Sequence, residues 1–161
     1  MSVISLYTTN PKLRSDLMEL LSRLDREGPE PVCAEGFSNF SAFLDSGRQN
    51  PCRILMLAQE GAKGVELVAA AVEECPESPV VWFSDLDFAL FSYRLEVAHF
   101  AMLPGTPESL RTALNNCRHK RQGSRAGPPL MLPAAKPPPC GLWTRLRRLL
   151  GSSLEKLRRQ R

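Results

Sequence analysis

No two cysteines in the chain are spaced as CxxC. The five present, Cys33, Cys52, Cys75, Cys117 and Cys140, are odd in number and widely scattered. A disulfide framework and a zinc site are therefore poor readings. Reduced, packing thiols in a cytoplasm are expected, with Cys140 the most open to modification. Histidine is scarce, at 2 residues. No Ser/His/Asp or Cys/His set and no Gly-rich phosphate loop occurs, so neither nucleophilic catalysis nor a P-loop has its residues. No metal and no cofactor are expected. No apolar run approaches the roughly 18 residues of a membrane span. The start, MSVISLYTTNPKL, lacks the basic and apolar regions of a secretory signal, so a cytoplasmic place is expected.

What is there suffices for a core. The chain has 161 residues, of which 43% are hydrophobic and 24% charged. That suits one ordinary domain with an extension. The net charge of +4 hides a split. Residues 1–117 hold 9 Lys and Arg against 16 Asp and Glu, a balance of −7; residues 118–161 hold 12 against one acid, Glu155, a balance of +11. An acidic body with a basic tail suggests two units with different partners.

The body alternates two kinds of pattern. Short apolar runs at Val3–Tyr7, Val32–Glu35, Ile54–Leu57, Pro79–Phe83 and Val97–Leu103 read as strands. Between them lie stretches of helical spacing. Pro11 opens the first, which carries Leu13, Leu17, Leu20, Leu21 and Leu24, and Gly28 with Pro29 stops it. Phe37, Phe40, Phe43 and Leu44 mark the second, ended by Gly47. Val65, Leu67, Val68, Ala71 and Val72 mark the third, and Phe88, Ala89, Leu90, Phe91 and Tyr93 the fourth. Thr106, Pro107 and Glu108 look like the N-cap and first turn of the fifth, lined by Leu110, Ala113 and Leu114. This order predicts an α/β domain over 1–117, a flavodoxin-like, doubly wound, five-stranded parallel sheet. Ligands on such sheets sit beyond the carboxyl ends of the strands. The third strand ends there in RILMLAQEGAKG, yet its last residue, Ala58, has no reactive group.

Residues 118–140 hold basic residues, Gly and six prolines, and read as a linker. Residues 141–161 carry Leu142, Trp143, Leu146, Leu149, Leu150, Leu154 and Leu157 at helical spacing. Arg145, Arg147, Arg148, Lys156, Arg158 and Arg159 fill much of the rest, so a basic amphipathic helix is expected, weakened by Gly151, Ser152 and Ser153. Such a helix suits an anionic membrane surface, nucleic-acid phosphates or an acidic partner's groove. A peripheral place at the membrane follows from the first of these, and a disordered solubilising tail is the bland reading.

PVVWFSDLDFALFSYRLEVAHFAMLPGTPESLRTAL, residues 79–114, resembles the second half of a bacterial response-regulator receiver domain, of the CheY-like fold. It is most like receivers that precede LytTR-type DNA-binding domains. In those, a strand ends in Ser or Thr, a D-x-x-A-L-x-x-F helix follows, and a fifth strand ends in an aromatic, two apolar residues and Lys-Pro. Ser84 fits the hydroxyl, Asp87 to Tyr93 the helix, and Phe100 to Pro104 the strand end. The resemblance implies phosphoryl transfer. Two acids after strand one would hold Mg²⁺ with an acceptor Asp after strand three, and a Lys and a Ser/Thr would contact the phosphoryl oxygens. In this chain the acid pair becomes Thr8 and Thr9, the acceptor Ala58 and the lysine Leu103. The Ala58–Gly64 loop is also about two residues short of the family's D-x-x-M-P-x-x-x-G. Only Ser84 keeps its type.

The expectation is therefore a pseudo-receiver: a non-catalytic signalling module related to two-component regulators, acting through protein contacts. The resemblance points to the face of the fourth helix, fifth strand and fifth helix for a signalling partner or a homodimer, with Phe88, Tyr93 and Phe100 as contacts. Plain core packing is the other reading of these. A phosphorylatable regulator with a displaced acceptor, controlling transcription, is one alternative. A nucleotide- or small-molecule-binding flavodoxin-like protein is another. Glu60 is expected as a solvated turn residue rather than a phosphoryl mimic, and Asp85 or Asp87 as a helix cap rather than a metal ligand. His99 is expected at a surface or edge.

Overall fold

The structure, a computed structural model, describes residues 2–27 and 31–123. The stop expected at Gly28 and Pro29 lies outside the described residues. So do the linker from residue 124 onward and the amphipathic segment 141–161 with Trp143, Arg145, Arg147, Arg148, Lys156, Arg158 and Arg159.

Five strands and five helices alternate: β1 (Ser2–Tyr7), α1 (Pro11–Glu27), β2 (Val32–Phe37), α2 (Phe40–Gln49), β3 (Ile54–Ala58), α3 (Lys63–Glu74), β4 (Val80–Ser84), α4 (Ala89–Arg94), β5 (His99–Met102) and α5 (Pro107–Gly123). All strand pairs are parallel, in the order β2-β1-β3-β4-β5. This is the doubly wound sheet that the alternation of patterns predicts. Its switch point lies between β1 and β3, the place where doubly wound sheets put their crevice, at the carboxyl ends of the strands.

The sheet is covered on both faces. Ile54, Met56 and Ala58 of β3 pack with Leu17 and Leu21 of α1 and Leu110 and Leu114 of α5; Leu55 and Leu57 pack with Phe43 of α2 and Val68 of α3. A strand buried on both sides needs an unbroken apolar run, which is why ILMLA shows no alternation. Each such leucine contributes about 1.5–3 kcal/mol of burial.

Helix starts follow local chemistry. The Asn10 side chain accepts from the backbone of Lys12 at 3.0 Å and Leu13 at 3.2 Å, with Pro11 opening α1. Thr106 and Ser109 exchange side-chain-to-backbone bonds of 3.0 and 3.1 Å at the start of α5.

Three expectations change. Phe37 ends β2 rather than opening α2. Gly47 does not end α2, which runs on to Gln49. A Cβ at Gly47 would stand 2.9 Å from Cys75 Sγ and 3.0 Å from a Leu55 methyl, so glycine serves close packing there, not termination. And α5 continues to Gly123, past residue 118 where the linker was expected to begin. No proline interrupts that stretch, and Arg, Lys and Gln suit a helix. Among the described residues no helix is long and apolar enough to cross a membrane.

Candidate functional site

Three loops meet over the crevice. The loop after β1 brings Thr8, Thr9 and Asn10, the loop after β3 brings Gln59, Glu60 and Gly61, and the loop after β4 brings Asp85. Each strand end is fixed by its neighbour: Gln59 N–H donates to Phe83 O at 3.1 Å and Leu103 N–H to Ser84 O at 2.8 Å.

Ala58 is fully buried, its methyl packed in the core shared with α1 and α5. Thr8 is buried as well, and its Oγ1 accepts from Asn10 N–H at 3.1 Å. Thr9 is held by Gln59: Gln59 Nε2 donates to Thr9 Oγ1 at 2.9 Å, and the hydroxyl lies 3.0 Å from Gln59 Oε1. Ser84 is buried and its Oγ accepts from Leu86 N–H at 3.2 Å. Leu103 packs against the α1/α5 side of the core. The five positions that the resemblance marks thus lie at or just past the carboxyl ends of β1, β3, β4 and β5, and the hydroxyls of Thr8, Thr9 and Ser84 bond to the protein itself.

Gln59, which the sequence reading passed over, is the polar side chain at the centre. It is buried although it follows a strand of five apolar residues. The signal was a polar residue directly after an unbroken run; its direction is a tertiary matter. Glu60 is exposed and accepts from Asn10 Nδ2 at 3.3 Å. The two aspartates divide their roles. Asp87 accepts from Ala89 N–H at 3.0 Å at the start of α4, as a capping aspartate should. Asp85 does not cap α4; its Oδ1 accepts from Gly61 N–H, across the crevice, at 2.7 Å. Among the described residues no group of three or more His, Cys, Asp or Glu is placed to hold a metal ion.

The second candidate region is the face of α4 and β5. Phe88 stacks on Trp82 at 5.2 Å and Phe100 meets the same ring edge-on at 5.4 Å. Both are partly buried and pack against the core on the α2/α3 side, in line with the packing reading of these two residues. Tyr93 is 83% exposed and Leu90 is 63% exposed. Leu86, Phe91 and Met102 extend this apolar exposure. Below them an open cleft is lined by Tyr93, Arg94, Glu96, Val97, Ala98 and Lys120. His99 is half-buried on the edge strand β5, its Nδ1 3.1 Å from Asn116 Nδ2 and its Nε2 buried without a partner. Burial holds its pKa below the ordinary value of 6.5. Cys75 is buried and burial pushes its thiol pKa up, in keeping with a packing role.

No protein-family model matches the chain, and no curated protein matches it. Solved structures do. A response regulator receiver domain protein from Clostridium thermocellum is similar with a TM-score of 0.61 at 17% identity, over 77% of this chain and 99% of that one. The signal receiver domain of an HD domain-containing protein from Pseudomonas fluorescens Pf-5 gives 0.61 at 15% identity, over 77% and 91%. Full-length FixJ from B. japonicum gives 0.60 at 16% identity, over 77% of this chain and 61% of that longer one. At these identities the likeness is one of fold. The chain has the receiver fold.

Proposed function

We propose that the chain is a pseudo-receiver: a non-catalytic regulatory module that keeps the receiver fold, has lost aspartyl phosphorylation, and acts through protein contacts. One observation carries this reading. At the end of β3, where the resemblance puts a phosphoacceptor, stands Ala58, fully buried and without an oxygen. The neighbours do not compensate. The loops after β1, β3, β4 and β5 read TTN, QEGA, DLDF and LPGT, with three acids and no lysine or arginine. A transferring phosphoryl group needs its charge neutralised, and these loops add negative charge instead. The residues present do not fit Mg²⁺ either. Thr8 and Thr9 replace carboxylates and are bonded to Asn10 and Gln59. Asp85 and Glu60 already accept from Gly61 and Asn10.

The working surface is then the exposed side of α4 and β5. Leu86, Leu90, Phe91, Tyr93 and Met102 offer exposed apolar area to a signalling protein, with a second copy of the chain as the competing occupant. The LytTR-type character rests on the sequence of 79–114. The tail's attachment to anionic membrane or nucleic acid rests on its basic amphipathic pattern.

Intact-protein mass after incubation with acetyl phosphate and Mg²⁺ tests the reading. An unchanged mass is expected. Gain of one phosphoryl group would instead support a regulator with a displaced acceptor.

A further inference from the structure

We propose that Asp85 is the crevice's own anion, a fixed carboxylate that ties the β4–α4 loop to the start of α3 and so holds the α4 face in one setting without any ligand. The inference rests on the reading of α4 as the contact surface.

The start of α3 is short of acceptors. Its N-cap residue, Ala62, makes no side-chain cap bond, and the turn closes through weak bonds of 3.3 Å from Gly64 to Gly61 and 3.2 Å from Val65 to Ala62. The amino end of a helix favours negative charge. The chain supplies that charge from the loop after β4. Asp85 Oδ1 accepts from Gly61 N–H at 2.7 Å, in the range of charge-assisted bonds. Gly61 holds a φ of 73°, a left-handed turn that glycine adopts freely.

Among the described residues, this pair is one of three whose side-chain bonds join these loops. Thr9 to Gln59 and Asn10 to Glu60 tie the β1–α1 loop to the same β3–α3 loop. Asp85 adds the third loop. Beyond it, Ser84 Oγ holds Leu86 N–H, and Leu86 begins the exposed apolar series that continues on α4. Asp85 thus stands in the chain between Ser84 and Leu86, so its bond to Gly61 fixes the backbone directly before the first residue of the contact face. Asp87, which serves only the start of α4, is the natural control.

Amide hydrogen exchange on the full chain tests this with Asp85→Ala, Asp85→Asn and Asp87→Ala. In Asp85→Ala, exchange at Gly61 should rise about tenfold, the scale of a lost charge-assisted bond. The amides of 86–92 should speed up several-fold, and those of 110–114 should not change. Asp85→Asn should fall between wild type and Asp85→Ala, since its amide oxygen accepts without charge. Asp87→Ala should speed exchange at Ala89 and leave Gly61 alone. Unchanged exchange at Gly61 or across 86–92 in Asp85→Ala would overturn the link. Wild-type exchange at Gly61 in Asp85→Asn would overturn the role of the charge. If Asp85→Ala does not fold, Asp85→Asn decides by the same two sets of amides. Acetyl phosphate labelling of the wild type bears on the pseudo-receiver reading alone, so the two can fail separately.

Discussion

Ala58 decides what a carboxylate at the end of β3 would experience. Its methyl lies fully buried in the core formed with α1 and α5. Ala58→Asp would place a carboxylate there with no acid pair at 8 and 9 to share a metal and no lysine at 103. The variant is expected to lose about 2 kcal/mol or more in urea denaturation and to remain unlabelled by acetyl phosphate. Restored labelling by this one change would contradict the assignment of four lost functions. His99 gives a prediction in pH. Asn116 Nδ2 donates to Nδ1 as the amide is oriented, so the neutral ring carries its proton on the buried Nε2. Its folded pKa lies below 6.5, so the unfolded chain binds the proton more readily. This residue's contribution is therefore constant above the unfolded value of about 6.5, and stability falls as pH drops from there toward the lowered folded pKa. His99→Gln should flatten that part of the stability-against-pH curve in thermal melts.

At the scale of elements, the two sides of α4 should behave differently. Phe88 lies just before α4 against Trp82, and Phe88→Ala is expected to cost about 2 kcal/mol. Leu90→Ala and Tyr93→Ala remove exposed side chains and should shift stability by no more than about 0.5 kcal/mol, while weakening capture of a protein partner. Denaturant titration of the three variants separates these roles; equal losses in all three would return the α4 face to plain packing. Gly61→Ala meets open space but keeps the left-handed φ, so about 1 kcal/mol of strain is expected in the same assay. The contrast also explains which elements were legible in the sequence. The strands and helices followed from periodicity and caps, because burial on two sheet faces writes itself as ILMLA and as the leucine spacing of α1. Gly47 inside α2 and the inward turn of Phe88 and Phe100 were not legible, since both depend on a neighbour distant in sequence, Leu55 or Trp82. Gln59 was missed for the same reason: its partner, Thr9, lies 50 residues away.

For the whole molecule, charge separates the acidic residues 1–117, at −7, from the basic residues 118–161, at +11. Any binding to anionic liposomes or duplex DNA should depend on residues 141–161 and weaken steeply with added salt. Flotation and duplex-binding assays with and without that segment check this; binding that survives its removal would place the attachment on residues 1–140, the basic stretch 118–140 included. The central claim concerns the body, which has the receiver fold and in which, by the resemblance, Ala58, Thr8, Thr9 and Leu103 stand where the family's chemistry would lie. Titration with Mg²⁺ and beryllium fluoride, followed by the backbone amide shifts of Ala58, Gly61 and Ser84, tests it most directly. No saturable shift is expected at these amides. A saturable shift shared by all three would mean that the crevice still takes a metal and a phosphoryl analogue, and the proposed loss of phosphotransfer would be wrong.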